Sequence, residues 1–470
     1  MATVPARLAL LALILRLIPT LLSYNLPIGL DDMFQYDMLA RSLVAGNGYR
    51  WYAEEDLSTI ERVLHMERPA DYDPQGVLTS HRGPGYPAFL AAVYAVFGVG
   101  PNRFFPVRLI QAVLGAMLVP LTWSLARRLG FGERASRWSA VAIAILPLLV
   151  IYPLALATEN TFIPLLTLSL VLALRARERN RIRDYVLTGL VLGLTSLTRS
   201  IIAGFALVVA LWAWRTAEDR RAGLRNGAAL LLCFVLVTLP WAVRNTIVHG
   251  QPTWIESSLG YNLYLGYHPK SSGTFQFGIS LDLIPIVDDG ERNARGMEAF
   301  WSFVRADPGR VPYLMIRKAG YLWGLDKREL IYFYGNGFFG AWPPWLVALV
   351  FSLACGPLIV LAPAASIGLG CGRMDRRKAL VALLLVYYTG VHMLILAESR
   401  FHAPLFPLIA ALAAYAVVEH PWRASTSRQR VLAIPLVALL VFNWMSEVAR
   451  DWDVLSALFG PEGWNLRLPY

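Results

Sequence analysis

Apolar stretches of roughly 15 to 24 residues recur along most of the chain, parted by brief polar runs. Each is about long enough to cross a hydrocarbon layer of ~30 Å as a helix. The spacing predicts about eleven spans (range ten to thirteen), near 8–24, 104–126, 138–153, 160–174, 185–198, 200–214, 227–243, 343–366, 379–397, 403–419 and 431–447. The first, Leu8 to Tyr24, runs on without a small-residue cleavage site and reads as a retained helix rather than a signal peptide. Gly85 to Gly98 is apolar but short, which places it in the membrane interface.

Two polar stretches, 25–103 and 244–342, are too long for connectors and are expected to carry function. In the first, Tyr36, Leu39, Ala40, Leu43 and Val44 recur at helical spacing and Gly46-Asn47-Gly48 supplies a stop. This predicts a short amphipathic helix along the membrane face, with Asp32-x-x-Gln35 in the form of a capping box and Asp37 toward water. In the second, a Gly- and Tyr-rich run from Gly260 to His268 precedes a helix expected from Ala294 to Arg305, stopped by Asp307-Pro308-Gly309.

Composition agrees with this pattern: 56% hydrophobic and 16% charged residues define an all-α polytopic membrane protein. A net charge of +11 invites nucleic acid, but its placement argues against that partner. Clusters at Arg127–Arg137, Arg175–Arg183, Arg215–Arg225, Arg373–Lys378 and Arg423–Arg430 hold 20 of the 43 basic residues, all in short loops. That is the positive-inside signature of cytoplasmic loops. It puts the N-terminus inside, both long stretches outside, and 448–470 as a short outer tail with no large soluble domain after it. Cys233, Cys355 and Cys371 have no CxxC spacing, so they imply neither a disulfide framework nor a metal site. Arginine outnumbers lysine 39 to 4, a genomic hint of a GC-rich bacterium and hence of a bacterial plasma (inner) membrane.

Ionisable residues gather at the outer face. Asp31, Asp32 and Asp37 stand at the head of the first long loop, and Glu159 marks the turn between the third and fourth spans. Arg199, Arg244 and Arg400 lie at outer helix ends, where topology does not favour positive charge. Each has an ordinary alternative: a helix cap, a solvated turn acid, or an arginine snorkelling to a headgroup. Together they suit a phosphate held beside a carboxylate. No cluster has metal-ligand spacing; His81 and His268 are the only candidates in the outer loops. Tyr261, Tyr264 and Tyr267 can stack on sugar faces or simply pack.

Several pieces, in order, resemble the GT-C membrane glycosyltransferases. The likeness is to the family-39 branch, with its protein O-mannosyltransferases and aminoarabinose lipid A transferases. The pieces are Asp32-Met33-Phe34-Gln35-Tyr36 with Ala40; His81-Arg82-Gly83-Pro84-Gly85-Tyr86-Pro87; Thr158-Glu159; Leu197-Thr198-Arg199; Pro240-Trp241-Ala242-Val243-Arg244-Asn245; Gly260-Tyr261-Asn262-Leu263; and Glu398-Ser399-Arg400-Phe401. The resemblance implies one GT-C module over 1–447 and a polyprenyl-phosphate-linked sugar donor of undecaprenyl-phosphate type. It also implies inversion at the sugar C1 and an extracytoplasmic glycan, lipid or protein acceptor. It places the catalytic base on Asp32. Asp31 is the alternative, because Met33 stands where the family often has a second acid. Glu159 falls where the family has another acidic residue. Tyr36, His81, Arg82, Tyr261, Asn262 and Tyr264 are implied for the sugar or acceptor.

The chemistry is consistent with one carboxylate. A lipid phosphate, with a second pKa of about 6, leaves without being protonated. Only the acceptor hydroxyl then needs a base, unlike glycoside hydrolysis with its two carboxylates. Arg199 and Arg400, then Arg244, are the arginines expected to stabilise the phosphate. No cofactor is required, although a divalent metal shared by Glu159 is compatible. Two rival classes remain: a transporter or flippase of lipid-linked sugars, and a non-catalytic polyprenyl-phosphate binder. Transport predicts charges near the bilayer midplane, where Arg16 is the one clear candidate.

Overall fold

A computed structural model of the chain describes residues 4–337 and 340–467. Two residues of the second long loop and the last three of the expected outer tail lie outside the described residues. Helices dominate; among the described residues the only strand pair is the antiparallel Arg50–Trp51 with Val77–Leu78.

Among the described residues eight helices are long and apolar enough to cross a membrane: Val4–Leu22, Phe104–Arg128, Glu159–Arg179, Arg220–His249, Pro344–Gly370, Arg376–Leu394, Ser399–Glu419 and Gln429–Arg450. Glu133–Ile145 with Pro147–Leu154, bent by 53°, makes a ninth. The remaining two expected spans are also helical, as Ile182–Thr198 and Ser200–Thr216, but fall short of full crossing length. A helix of 17 residues rises about 26 Å, less than a hydrocarbon layer. The polar run Thr198-Arg199-Ser200 takes the room that would complete either one. Among the described residues eight or nine helices thus have full crossing length, and the two short helices around Arg199 make up the remainder of the eleven apolar segments.

The short helices follow the sequence pattern more closely. Asp32–Val44 ends before Gly46 and Gly48, both at positive φ, and Gly85–Phe97 is the short apolar helix. The helix expected from Ala294 begins earlier, at Asp289, because the Asp288 carboxylate accepts from the Glu291 amide at 3.0 Å.

Burial ranks the helices. Glu159–Arg179 and Ser399–Glu419 are 78% and 72% buried over their apolar windows, while the other six full-length spans are at most 39% buried. These two form the centre of the bundle, packed through Phe162, Leu166, Leu170, Phe205, Tyr388, Leu408 and Leu412. Their N-terminal ends carry Glu159 and Arg400, so both residues stand at the middle of one end of the bundle.

Arg16, the charge inside the first span, is fully buried and faces backbone rather than a cavity. Its Nη1 donates to Ala12 O at 3.0 Å and Ala144 O at 3.1 Å, and its Nη2 donates to Ile143 O at 3.1 Å. Those last two carbonyls lie just before the bend. Pro147 has no amide to offer Ile143, and in hydrocarbon no water replaces it. Gly115 opposite makes room: a Cβ there would sit 2.8 Å from Arg16 Nε. Arg16 therefore completes a helix break.

Candidate active site

Two adjacent aspartates begin the Asp32–Val44 helix, and the helix separates them. Asp31, not Asp32, is the N-cap: its Oδ1 accepts from the Met33 amide at 2.8 Å. Asp32 is the first helical residue, so its side chain is free to turn outward. The expected capping box does not form, because Gln35 Oε1 accepts from Arg82 Nε at 2.9 Å instead of returning to the helix start. Asp32 pairs with the Arg82 guanidinium, and Arg400 Nη2 stands 3.9 Å from its other oxygen. Burial pushes the Asp32 carboxyl up, but the positive charges of Arg82, Arg400 and Arg199 outweigh it and hold the group below the usual carboxylate range. Asp31 moves the other way, raised chiefly by burial. Asp37, expected to face water, is fully buried. It accepts from Arg41 Nε at 2.9 Å, Arg103 Nε at 2.7 Å and the Tyr94 hydroxyl at 2.9 Å.

Arg82 is aimed by the segment around it. The Tyr49 hydroxyl donates to Arg82 O at 2.9 Å and Gly83 O at 3.1 Å. Gly83 and Gly85 let this segment lie directly on the end of the Ile182–Thr198 helix. A Cβ on Gly83 would come within 2.5 Å of Leu197 O, and one on Gly85 within 2.7 Å of Thr198 Oγ1. Only glycine fits at either position. The contact brings Arg82 and Arg199 onto touching stretches of chain.

Arg199 donates to Glu159 Oε1 at 2.7 Å, with its guanidinium 5.7 Å from the Phe162 ring and 5.3 Å from the Phe401 ring. Arg400 Nε donates to Glu398 Oε2 at 2.7 Å, and Arg328 donates to the other oxygen of Glu398 at 2.7 Å. Arg400 lies within electrostatic reach of both Asp32 and Glu159. The structure thus gathers Asp32, Glu159, Arg199, Arg400 and Arg82 at one end of the bundle. Arg244 is elsewhere engaged: it donates to Thr79 O at 2.5 Å and Tyr49 O at 3.2 Å, and braces the segment leading to Arg82.

The implied sugar or acceptor residues divide into two groups. Tyr36 is buried with the Arg82 guanidinium 5.5 Å from its ring centre, edge-on to Tyr86. His81 is buried between Trp51 and Tyr261, with ring centres at 5.1 and 5.7 Å. Burial, then the charges of Arg82 and Arg292, hold its pKa well below that of an ordinary histidine. Tyr261, its hydroxyl pushed up by burial to about 12, and Asn262 are half-buried on the Leu259–Tyr267 helix. Tyr264 and Tyr267 are committed to packing. Their hydroxyls donate to Asp282 at 2.6 Å and to Leu394 O at 2.9 Å.

Glu398 and Gln35 belong to the cluster although neither stands among the candidate site residues of the sequence. Glu398 had a signal in its place two residues before Arg400. Among the described residues no group of three His, Cys, Asp or Glu side chains is placed to hold a metal ion. Glu398 gives its two oxygens to Arg328 and Arg400, while Asp32 and Glu159 pair with Arg82 and Arg199.

The fold is shared with the Archaeoglobus fulgidus oligosaccharyltransferase. Within it, residues 81–242 match the family model described as dolichyl-phosphate-mannose-protein mannosyltransferase. The chain superposes on the apo crystal structure of the Archaeoglobus fulgidus oligosaccharyltransferase with a TM-score of 0.53 and 16% identity, covering 98% of this chain and 56% of that one. The same archaeal enzyme tethered to an acceptor peptide containing the NVT sequon gives 0.50 and 15%, over 99% and 55%. ArnT from Cupriavidus metallidurans bound to undecaprenyl phosphate is matched at a TM-score of 0.39 and 15% identity, over 87% and 77%. The chain spans about half the length of the archaeal enzyme. No curated protein sequence matches it.

Proposed function

We propose that this chain is an inverting glycosyltransferase that moves a sugar from a polyprenyl-phosphate donor to an acceptor hydroxyl. The observation that carries the reading is the freedom of Asp32. It is released from capping by Asp31, ionised beside Arg82 and Arg400, and set at one end of a bundle whose outer helices expose apolar side chains. A base for the acceptor hydroxyl must be ionised and within reach of a bound phosphoester, and this carboxylate has both an outward position and cationic neighbours. The description of the matched family, a dolichyl-phosphate-mannose-protein mannosyltransferase, supports a lipid-phosphate donor.

In this mechanism the donor phosphate lies against Arg400 and Arg199, and its isoprenoid tail runs into the membrane. Asp32 takes the proton of the acceptor hydroxyl as that oxygen attacks the sugar C1. The C1–O bond to phosphate breaks, inverting C1, and its electrons leave with the lipid phosphate. The arginines stabilise the charge that gathers on those oxygens. Glu159 holds Arg199 in place, as Glu398 holds Arg400. The positive-inside pattern supports an extracytoplasmic face for this chemistry, and the excess of arginine over lysine supports a bacterial inner membrane. The acceptor is a glycan, lipid or protein hydroxyl.

The test compares envelope glycans and glycolipids by mass spectrometry in cells carrying the wild type or Asp32→Asn. One sugar modification is expected to disappear in the variant. An unchanged profile, with the variant inserted at the normal level, overturns the reading.

A further inference from the structure

One carboxylate beside the cluster has no part in the transfer chemistry. Glu256 lies just ahead of the Leu259–Tyr267 helix in the second long loop. Its Oε1 accepts from the Gly83 amide at 3.2 Å, and its Oε2 accepts from the Ser200 hydroxyl at 2.9 Å and the Ser258 hydroxyl at 3.2 Å. Gly83 follows Arg82, and Ser200 follows Arg199. A single side chain therefore ties the two segments that each carry one of the gathered arginines. One segment comes from the first long loop and the other from the outer tip of a helical hairpin.

The same loop holds the other flank of Arg82. Asp289 Oδ2 accepts from the Ser80 amide at 3.0 Å and from the Ser257 hydroxyl, and the Ser257 amide donates to Ser80 O at 3.0 Å. Arg82 is thus set between two backbone amides, both bound to carboxylates of the second long loop. The glycine contact at Gly83 and Gly85 brings the two arginine-bearing segments together, but glycine has no side chain to stop them sliding. Glu256 supplies that stop, because its two oxygens are committed one to each segment.

On these bonds we infer that Glu256 is a positioning residue that holds Arg82 and Arg199 in register around Asp32. The inference rests on the transferase reading of the site. Reacting groups must be held to within about half an ångström, and a misplacement of about 1 Å can cost on the order of a hundredfold in rate. Glutamine has the same shape: its carbonyl can accept from Gly83, and its amide can donate to the Ser200 oxygen. Alanine removes both ties.

The experiment uses the full-length protein in two ways. Hydrogen exchange in detergent micelles reads the segments 80–86 and 197–203, and mass spectrometry of envelope glycans reads the product in cells. Glu256→Ala is expected to speed exchange in both segments and to lower the product by about tenfold or more. Glu256→Gln is expected to restore both to within a few-fold of wild type. Ser200→Ala cuts only the second tie and is expected to speed exchange in 197–203 alone; it carries the test if Glu256→Ala does not fold. Wild-type exchange and product in Glu256→Ala overturn the inference. So does a Glu256→Gln variant as inactive as Glu256→Ala with exchange unchanged, since the charge rather than the bonds would then matter. If Asp32→Asn leaves the glycans unchanged, the transferase reading fails by itself, and the exchange data still report whether the tie exists.

Discussion

Asp31 accepts the amide of Met33 at 2.8 Å, and Asp32 beside it pairs with Arg82. Two identical side chains, one residue apart, are thereby assigned to different partners by the geometry of a helix start. Asp31→Ala is expected to cost about 1 kcal/mol of stability as a lost cap while product formation stays within a few-fold. Asp32→Asn is expected to lower product formation by about 10²–10⁴-fold and to lose only the modest stability of a half-exposed ion pair with Arg82. Thermal unfolding in detergent and glycan mass spectrometry read the two effects. Equal losses of product would return Asp31 to contention as the base.

The pH profile follows from the same arginines. Burial raises the Asp32 carboxyl and the charges of Arg82, Arg400 and Arg199 lower it further, for a net depression. A base acts in its ionised form, so activity is retained as pH falls through the usual carboxylate range and fails only below it. Stability has the same sign: a depressed native pKa contributes above the unfolded value and is lost as pH falls through the native one. Arg82→Met is expected to move the acid limb of kcat/KM upward. An acid limb unmoved in that variant would mean that some other group titrates.

Gly83→Ala and Gly85→Ala test the contact beneath Arg82. Each added Cβ would press on the backbone or hydroxyl of Leu197 or Thr198 at 2.5 to 2.8 Å. The segments must part, at an expected cost of about 1–3 kcal/mol, and product formation falls with it. Unfolding midpoints and glycan levels equal to wild type would mean that the contact is not tight in the working protein.

Asp37 provides a control that lies away from the chemistry. It is buried and accepts from Arg41, Arg103 and Tyr94, so Asp37→Ala leaves Arg103 without its carboxylate, while Arg41 keeps Glu55 and Asp56. A loss of about 3 kcal/mol is expected, measured by thermal unfolding. Protein that remains folded should still form product, because the partners of Asp37 are Arg41, Arg103 and Tyr94 and none of the gathered arginines.

The reach of the sequence reading follows from the range of the forces involved. Spans are legible because a membrane helix announces itself over a score of consecutive residues. Glu159, Arg199 and Arg400 are legible because charge at helix ends is costly enough to need a reason, and the fold gathers them. Periodicity located the helix that carries Asp32 but could not divide its two aspartates, since capping is decided by the φ and ψ of a single residue. Asp37 was misassigned to water for another cause: Arg103, its main partner, lies 66 residues away. Glu256 was invisible for the same reason, with Gly83 and Ser200 at separations of 173 and 56. The two spans around Arg199 fell short because apolarity measures where a helix can sit, not how much of it a polar site has taken.

Arg16 bears on how the first span is anchored. The bent segment presents the carbonyls of Ile143 and Ala144 to whatever surrounds it, and a lone arginine in the first helix is equally ill-suited to lipid. Neither segment is comfortable in the bilayer until the other arrives. The two halves of this pairing lie 127 and 128 residues apart in the chain. Arg16 keeps Ala12 O within its own helix, and the bend adds two further acceptors, so the pairing fastens the first span to the broken one.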